Sequence, residues 1–93
     1  MLEYEAAVNT KNNKGISPLI SACISGVIEN VELLFSAGAL INEVAKDGYT
    51  ALMYVAYYGH AEIAEFLLSH GADSDAKSKK RETALSITEK EKI

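Results

Sequence analysis

Residues 47–76 of the chain read DGYTALMYVAYYGHAEIAEFLLSHGADSDA. Thr50 stands just before an apolar run, where its hydroxyl can cap the first turn of a helix. Gly59 and Gly71 each follow such a run, at the point where helices commonly end in a residue that tolerates positive φ. The stretch therefore predicts a helical hairpin with a turn at either end.

The same pattern recurs elsewhere in the chain. A shift of 33 residues, the distance from Gly15 to Gly48, superimposes this stretch on an earlier one. The coinciding residues are turn, capping and apolar positions: Thr50 with Ser17, Leu52 with Leu19, Gly59 with Gly26, Gly71 with Gly38, and Ala72 with Ala39. The same shift forward places Thr83, Ala84 and Leu85 on Thr50, Ala51 and Leu52. An internal repeat of this period indicates a solenoid.

The period and the residues resemble the ankyrin repeat, a turn followed by two antiparallel helices. Three motifs carry the resemblance: Gly-Tyr-Thr-Ala-Leu-Met at 48–53 is similar to the family's Gly-x-Thr-Pro-Leu-His, Tyr-Gly-His at 58–60 to its Gly-His corner, and Leu-Leu-Ser-His-Gly-Ala-Asp at 67–73 to its Leu-Leu-x-x-Gly-Ala-Asp. The resemblance implies an all-α fold, an ankyrin-repeat solenoid of antiparallel helix pairs with β-hairpin turns. The domain is expected to comprise a partial repeat over 1–13, repeats over 14–46 and 47–79, and a partial repeat or cap over 80–93.

Apolar periodicity predicts which residues form the core. Leu19, Ala22 and Cys23 fall at i, i+3 and i+4, on one face of a helix. The predicted helices cover 17–25, 29–37, 50–58, 61–70 and 84–93. The remaining predicted core and packing residues are Val31, Leu33, Leu34, Phe35, Leu52, Val55, Ala56, Ile63, Phe66, Leu67 and Leu68.

Arg81 departs from the repeat, because the other two tips have glycine at this position. Either the third tip changes shape, or Arg81 is held at a strained φ that costs about 1 kcal/mol.

Composition limits the classes of function. The chain has 93 residues, of which 48% are hydrophobic and 24% charged, as expected for one globular domain with a modest core. No apolar run approaches the roughly 20 residues that span a bilayer, so we expect no membrane insertion.

From Gly15 to Ala76 there are eight acidic residues and one basic residue, which argues against nucleic-acid binding. With a single cysteine, Cys23, no internal disulfide can form, which favours a reducing, cytoplasmic compartment.

The sequence shows no pattern typical of an enzyme, a cofactor site or a metal site. His60 and His70 are the only histidines, whereas a structural zinc site needs about four ligands. The resemblance implies that His60 supports the turn between helices by hydrogen bonding to backbone. Cys23 is in register with Ala56, and we expect a buried, unreactive thiol.

The tyrosines indicate a function in partner binding more clearly than the histidines or the cysteine indicate chemistry. In the family that the chain resembles, the hairpin tips and the ends of the first helices face a concave binding surface. Tyrosine is amphipathic and enriched in interface hot spots, so we expect Tyr49, Tyr57 and Tyr58 to form a patch with two isoleucines; the alternative is that single rings pack against a neighbouring repeat. The residues predicted to contact a partner are Asn13, Lys14, Ile16, Ile24, Ser25, Lys46, Asp47, Tyr49, Tyr57, Tyr58, His70, Lys79, Lys80 and Glu82.

The sequence thus predicts a non-catalytic module that binds another protein, as part of a larger scaffold or regulatory protein. The alternative is a targeting module whose basic tip, residues 77–81, is read by nuclear import machinery or by anionic phosphates; a solvated hairpin tip is the simpler interpretation of that run. Nuclear localisation is the alternative to cytoplasmic. Uncapped repeat ends also predict end-to-end self-association.

Overall fold

The computed structural model of the chain describes residues 8–91, with side chains up to residue 88. Its helices are α1 Pro18–Ser25, α2 Ile28–Ser36, α3 Ala51–Tyr58, α4 Ala61–Ser69 and α5 Ala84–Glu91. α1 packs on α2 and α3 packs on α4, while α3 also lies between α1 and α5. The chain is therefore a stack of helix pairs, the all-α architecture predicted from the repeat. α2 begins one residue before its predicted start at residue 29, and α4 ends one residue before its predicted end at residue 70.

Both helix pairs begin and end their first helix in the same way. The hydroxyls of Ser17 and Thr50 each accept a hydrogen bond at 3.2 Å from the backbone N–H three residues on. Pro18 occupies the first helical position, where a missing N–H costs nothing. Gly26 and Gly59 end the two helices in the left-handed conformation. The caps predicted from the sequence are confirmed.

The core lies between the helices of successive pairs. The predicted core residues that are buried are Leu19, Ala22, Cys23, Val31, Leu52, Val55, Ile63 and Leu67. Leu34, Phe35 and Phe66 are partly buried against them, and Ala56 is partly buried.

Two core predictions are wrong. Leu33 is 65% exposed and Leu68 is 49% exposed. Each is adjacent in sequence to an inward-facing leucine, and successive helical side chains differ in direction by about 100°. Leu33 lines a groove between α1 and α2, and Leu68 lines an apolar groove between α3, α4 and α5, so neither side chain is enclosed by a described helix.

The three hairpin tips share one pattern of backbone hydrogen bonds. The N–H groups of residues 12, 45 and 78 donate to the C=O groups of residues 16, 49 and 82, at 3.1, 2.9 and 2.9 Å. The second tip adds one isolated antiparallel bridge between Val44 and Thr50. The predicted β-hairpin tips are thus tight turns, and no strand is assigned within the described residues.

Consecutive tips are also joined to each other. The N–H of Lys46 donates to the C=O of Lys14 at 3.1 Å, and that of Lys79 donates to Asp47 at 3.2 Å. Lys79 and Asp47 stand 33 residues after Lys46 and Lys14, so the two hydrogen bonds occupy equivalent positions in successive repeats. The tips therefore form a row with fixed spacing.

Glycine at the base of each tip allows this close approach. A Cβ added to Gly15 or Gly48 would lie 2.8 Å from the backbone nitrogen of Lys46 or Lys79, and both glycines have left-handed φ values of 77° and 83°. Arg81 occupies the same position in the third tip at φ 66°. The third tip thus keeps its shape, and Arg81 bears the strain that was one of the two alternatives from the sequence.

Two asparagines form a second set of bridges between successive layers. The amide groups of Asn9 and Asn42 donate at 3.2 and 3.1 Å to the C=O of the glycine that follows the next second helix. Their side-chain oxygens accept from a backbone N–H two residues beyond that glycine, at 3.0 and 2.9 Å. The layers are therefore joined by two sets of polar contacts that repeat with the sequence.

Gly48→Ala should destabilise the protein more than Gly59→Ala does. Both residues have left-handed φ, 83° and 77°, but a Cβ on Gly59 meets no atom within 4 Å. Gly59→Ala should therefore cost about 1 kcal/mol from backbone strain alone, whereas Gly48→Ala should cost about 2–3 kcal/mol because the contact with Lys79 must also open. Urea unfolding measures both. Equal losses would contradict the tip-to-tip contact.

Candidate partner-binding surface

Tyr49 and Tyr54 connect the second tip to its neighbours. Their ring centroids lie 5.1 Å apart. The hydroxyl of Tyr49 donates to Glu82 Oε1 at 3.0 Å, in the third tip, and the hydroxyl of Tyr54 donates to Asp47 Oδ2 at 3.2 Å. Desolvation, followed by these carboxylates, raises the pKa of both phenols to about 12. The two hydroxyls therefore remain hydrogen-bond donors at neutral pH.

Tyr57 and Tyr58 present the exposed aromatic surface at the end of α3. They are 47% and 49% exposed. Their rings meet edge to face with centroids 4.9 Å apart, and Tyr58 stacks on His60 at 6.1 Å with an angle of 18° between the planes. The two rings therefore contact each other, and Tyr58 also contacts His60, while about half of each tyrosine faces solvent.

The four rings form one group, which we call the tyrosine cluster: Tyr49, Tyr54, Tyr57 and Tyr58. The group consists of two ring pairs, Tyr49 with Tyr54 and Tyr57 with Tyr58, and three of its four members lie on α3. Tyr54 was not among the residues predicted to contact a partner. The available signal was its spacing, since residues 54, 57 and 58 stand at i, i+3 and i+4 on one helix face.

The other predicted contact residues divide into three groups. Ile16 and Ile24 are partly buried against the core, so only their edges are accessible. Ser25 is exposed at the end of α1. The tip residues Asn13, Lys14, Lys46, Asp47, Lys79 and Lys80 are exposed, and Glu82 is partly buried. These groups adjoin the tyrosine cluster through the tips and the first helices.

His70 lies apart from this surface. It follows α4, where its Nδ1 is 2.8 Å from the C=O of Phe66. Its ring packs on Phe66 and Phe35, with centroids 4.1 and 4.7 Å away. His70 therefore belongs to an aromatic contact between the second helices, and the structure does not bring it together with the tyrosine cluster.

A cleft of about 390 Å³ lies between the second and third tips. Its lining residues are Asp47, Tyr49, Ser78, Lys79, Lys80 and Glu82. Both carboxylates already accept hydrogen bonds within the chain, from Tyr54 and Tyr49 respectively. The lysine side chains at the rim remain exposed to solvent.

His60 and Cys23 have structural surroundings. His60 Nε2 lies 3.4 Å from the C=O of Ile24, the kind of backbone contact that the resemblance implied. Burial raises the pKa of the Cys23 thiol to about 12, which disfavours the reactive thiolate. Among the described side chains, no group of three or more His, Cys, Asp and Glu residues could hold a metal ion. Within residues 8–91, no helix is long and apolar enough to cross a membrane.

Comparison with known proteins identifies relatives of the chain. Residues 1–78 match the family model described as ankyrin repeats (3 copies). The human NAD-capped RNA hydrolase NUDT12 is 42% identical over 72% of the chain, rat ankyrin repeat and SAM domain-containing protein 6 is 37% identical over 86%, and human protein phosphatase 1 regulatory subunit 27 is 36% identical over 77%. The matched part spans 14%, 9% and 47% of these proteins. The repeat boundaries given above stay a prediction.

The phenols of Tyr49 and Tyr54 should ionise near pH 12, above their ordinary value of 10.0. Because the folded state holds these protons more tightly, their contribution to stability is complete below pH 10 and is lost as the pH rises towards 12. Phenolate absorbance during alkaline titration measures the ionisation directly. A Tyr49→Phe, Tyr54→Phe variant should lack the late step, and a wild type that also lacks it would contradict the hydrogen bonds described.

Proposed function

The chain belongs to the ankyrin repeat family, and from this premise we propose that it is a non-catalytic module that binds another protein through the tyrosine cluster and the hairpin tips. Ankyrin repeats bind other proteins. The observation that carries the proposal for this chain is the pair of exposed rings, Tyr57 and Tyr58, supported by each other and by His60. Exposed aromatic side chains in a supported arrangement are typical of interface hot spots.

The arrangement of the surface favours binding with little ordering cost. The hydroxyls of Tyr49 and Tyr54 are fixed by carboxylates of the tips, and the tips are fixed to one another by backbone hydrogen bonds. Association loses less free energy when side chains are already immobilised in the free protein. A partner would therefore meet a surface that needs little rearrangement.

We also propose that the module serves within a scaffold or regulatory protein in the cytoplasm. One relative is named a regulatory subunit of protein phosphatase 1. Another is named a hydrolase, and the match covers 14% of its length. On this proposal, the repeat region supplies contacts and other regions of the parent protein supply any further activity. The identity of this chain's partner does not follow from the fold, because repeat scaffolds carry many different functions.

Targeting through the basic tip is the second candidate. Lys77, Lys79, Lys80 and Arg81 are all exposed, so import machinery or anionic phosphates would have access to them. On this view, replacing Lys79, Lys80 and Arg81 by alanine abolishes nuclear localisation. On the partner-binding view, the same change only weakens binding.

End-to-end self-association is a further part of the proposal. An apolar groove of about 460 Å³ lies between α3, α4 and α5. It exposes Leu68 and also Leu85, which is 68% exposed although its repeat equivalents Leu19 and Leu52 are buried. Sedimentation equilibrium should give a mass that rises with concentration, and a constant monomer mass would refute this part.

Tyr57→Ala with Tyr58→Ala should weaken partner binding by at least about tenfold, because loss of a hot-spot pair removes most of the contact energy. The matched control is Leu33→Ala, which also trims an exposed apolar side chain but lies on α2. Affinity capture from cell extract, followed by quantitative mass spectrometry, compares the three proteins after circular dichroism has shown equal folding. Partners that bind all three equally would exclude the tyrosine cluster as the site.

A further inference from the structure

Charge is separated between two sides of the stack. The exposed basic residues of the tips are Lys14, Lys46, Lys79, Lys80 and Arg81. The exposed acidic residues of the second helices are Glu29, Glu32, Glu62 and Glu65. A net formal charge of −4 for the whole chain hides this separation, so the tips offer a local positive surface on an acidic protein.

Backbone hydrogen bonds between the tips place the basic residues in a row. The N–H of Lys46 donates to the C=O of Lys14 at 3.1 Å, and the N–H of Lys79 donates to the C=O of Asp47 at 3.2 Å. Chains joined in this way lie about 4.8 Å apart, as neighbouring strands do. We call Lys14, Lys46, Lys79 and Lys80 the lysine row.

Two acidic residues, Asp47 and Glu82, lie in the same tips, so the four lysines of the row keep a net formal charge of +2 (four minus two). Asp47 accepts hydrogen bonds from the Tyr54 hydroxyl at 3.2 Å and from the Tyr49 N–H at 2.9 Å. Glu82 accepts from the Tyr49 hydroxyl at 3.0 Å and from Ser78 Oγ at 3.3 Å.

Among the described side chains, the ion pair that forms joins Lys11 to Glu43 at 2.7 Å, outside the lysine row. The cations of the lysine row are therefore available to a ligand, and two of them line the cleft beside Tyr49.

We propose that the surface recognises an acidic peptide segment of its partner. Carboxylates of that segment contact the lysine row, and an apolar side chain of the same segment packs on Tyr57 and Tyr58. The inference rests on the proposed function and specifies the chemistry of the partner.

Several dispersed carboxylates fit the row better than one phosphate group does. Lysine is a point charge on a flexible stem, whereas phosphate recognition favours the bidentate fork of arginine. Four of the five exposed basic residues of the tips are lysines, and their charges are spread over three tips. A nucleic acid, which is larger than a short peptide, would also meet the acidic remainder of the domain, which carries seven acidic residues besides Asp47 between Gly15 and Ala76.

The two parts of the surface have different physical roles. Exposed ion pairs contribute little energy each, but charges at the rim of an interface steer the approach of a partner and set its register. The aromatic pair supplies the buried apolar area on which affinity depends. The acidic character of the ligand should therefore appear as a strong dependence on ionic strength.

Selection from a phage-displayed library of random peptides tests the inference. Peptides selected on the wild type should be enriched in Asp and Glu and should contain an apolar or aromatic residue. Their affinity should fall about threefold in Lys46→Gln and about tenfold in a Lys46→Gln, Lys79→Gln double variant. Asn30→Asp is the matched control for the single variant, because it changes the net charge equally at an exposed site on α2, and it should leave affinity unchanged.

Other outcomes overturn the inference in distinguishable ways. Selected peptides without acidic enrichment, whose binding still requires Tyr57 and Tyr58, would overturn the acidic ligand and leave the proposed function standing. Acidic peptides that bind a Tyr57→Ala, Tyr58→Ala variant equally well would instead remove the aromatic contact from the proposal. Selection of no peptide, with sedimentation of the protein on vesicles containing phosphatidylserine but not on phosphatidylcholine alone, would assign the lysine row to lipid headgroups. Absence of any binding would overturn the inference as well.

Discussion

The backbone hydrogen bond between consecutive hairpin tips is the contact on which the rest of the structure depends. Helix pairs of this kind bury their apolar faces only against neighbouring pairs, so a fixed relation between layers is needed for stability. The contact forms because Gly15 and Gly48 have no Cβ where the next tip approaches to within 2.8 Å of that position. Asn9 and Asn42 add a second set of hydrogen bonds between the layers. The spacing of the layers, and with it the spacing of the tips, follows from these two sets of contacts.

The candidate surface uses this rigidity. Tyr49 reaches from the second tip to Glu82 in the third, so a hydroxyl of the aromatic group also ties two layers together. The carboxylates in these hydrogen bonds, Asp47 and Glu82, lie among the lysines of the tips, which outnumber them. One set of contacts thus orders the rings beside a surface of net positive charge. The helix pairs are common to a large family, whereas this combination of rings and charges belongs to the residues of this chain.

Local features of the sequence predicted the helices well, because Ser17, Thr50, Gly26 and Gly59 act on their own turn of backbone. Burial was harder to predict, because Leu33 and Leu68 are apolar residues on amphipathic helices and their exposure depends on which side another layer covers. The tyrosines were identified as a group, but their partners were not. A bond such as that between Tyr54 and Asp47 depends on the angle at which tip meets helix, which no local pattern specifies.

Backbone hydrogen bonds hold the tips together, so the tips present a preformed surface. Amide hydrogen exchange at Lys46 and Lys79, followed by NMR in the free protein, measures this rigidity, since both amides are donors in the tip-to-tip contact. Exchange should be slow, with protection approaching that of the buried amides of α3. Exchange at the rate of an unstructured peptide would show that the tips move independently and would contradict a preformed surface.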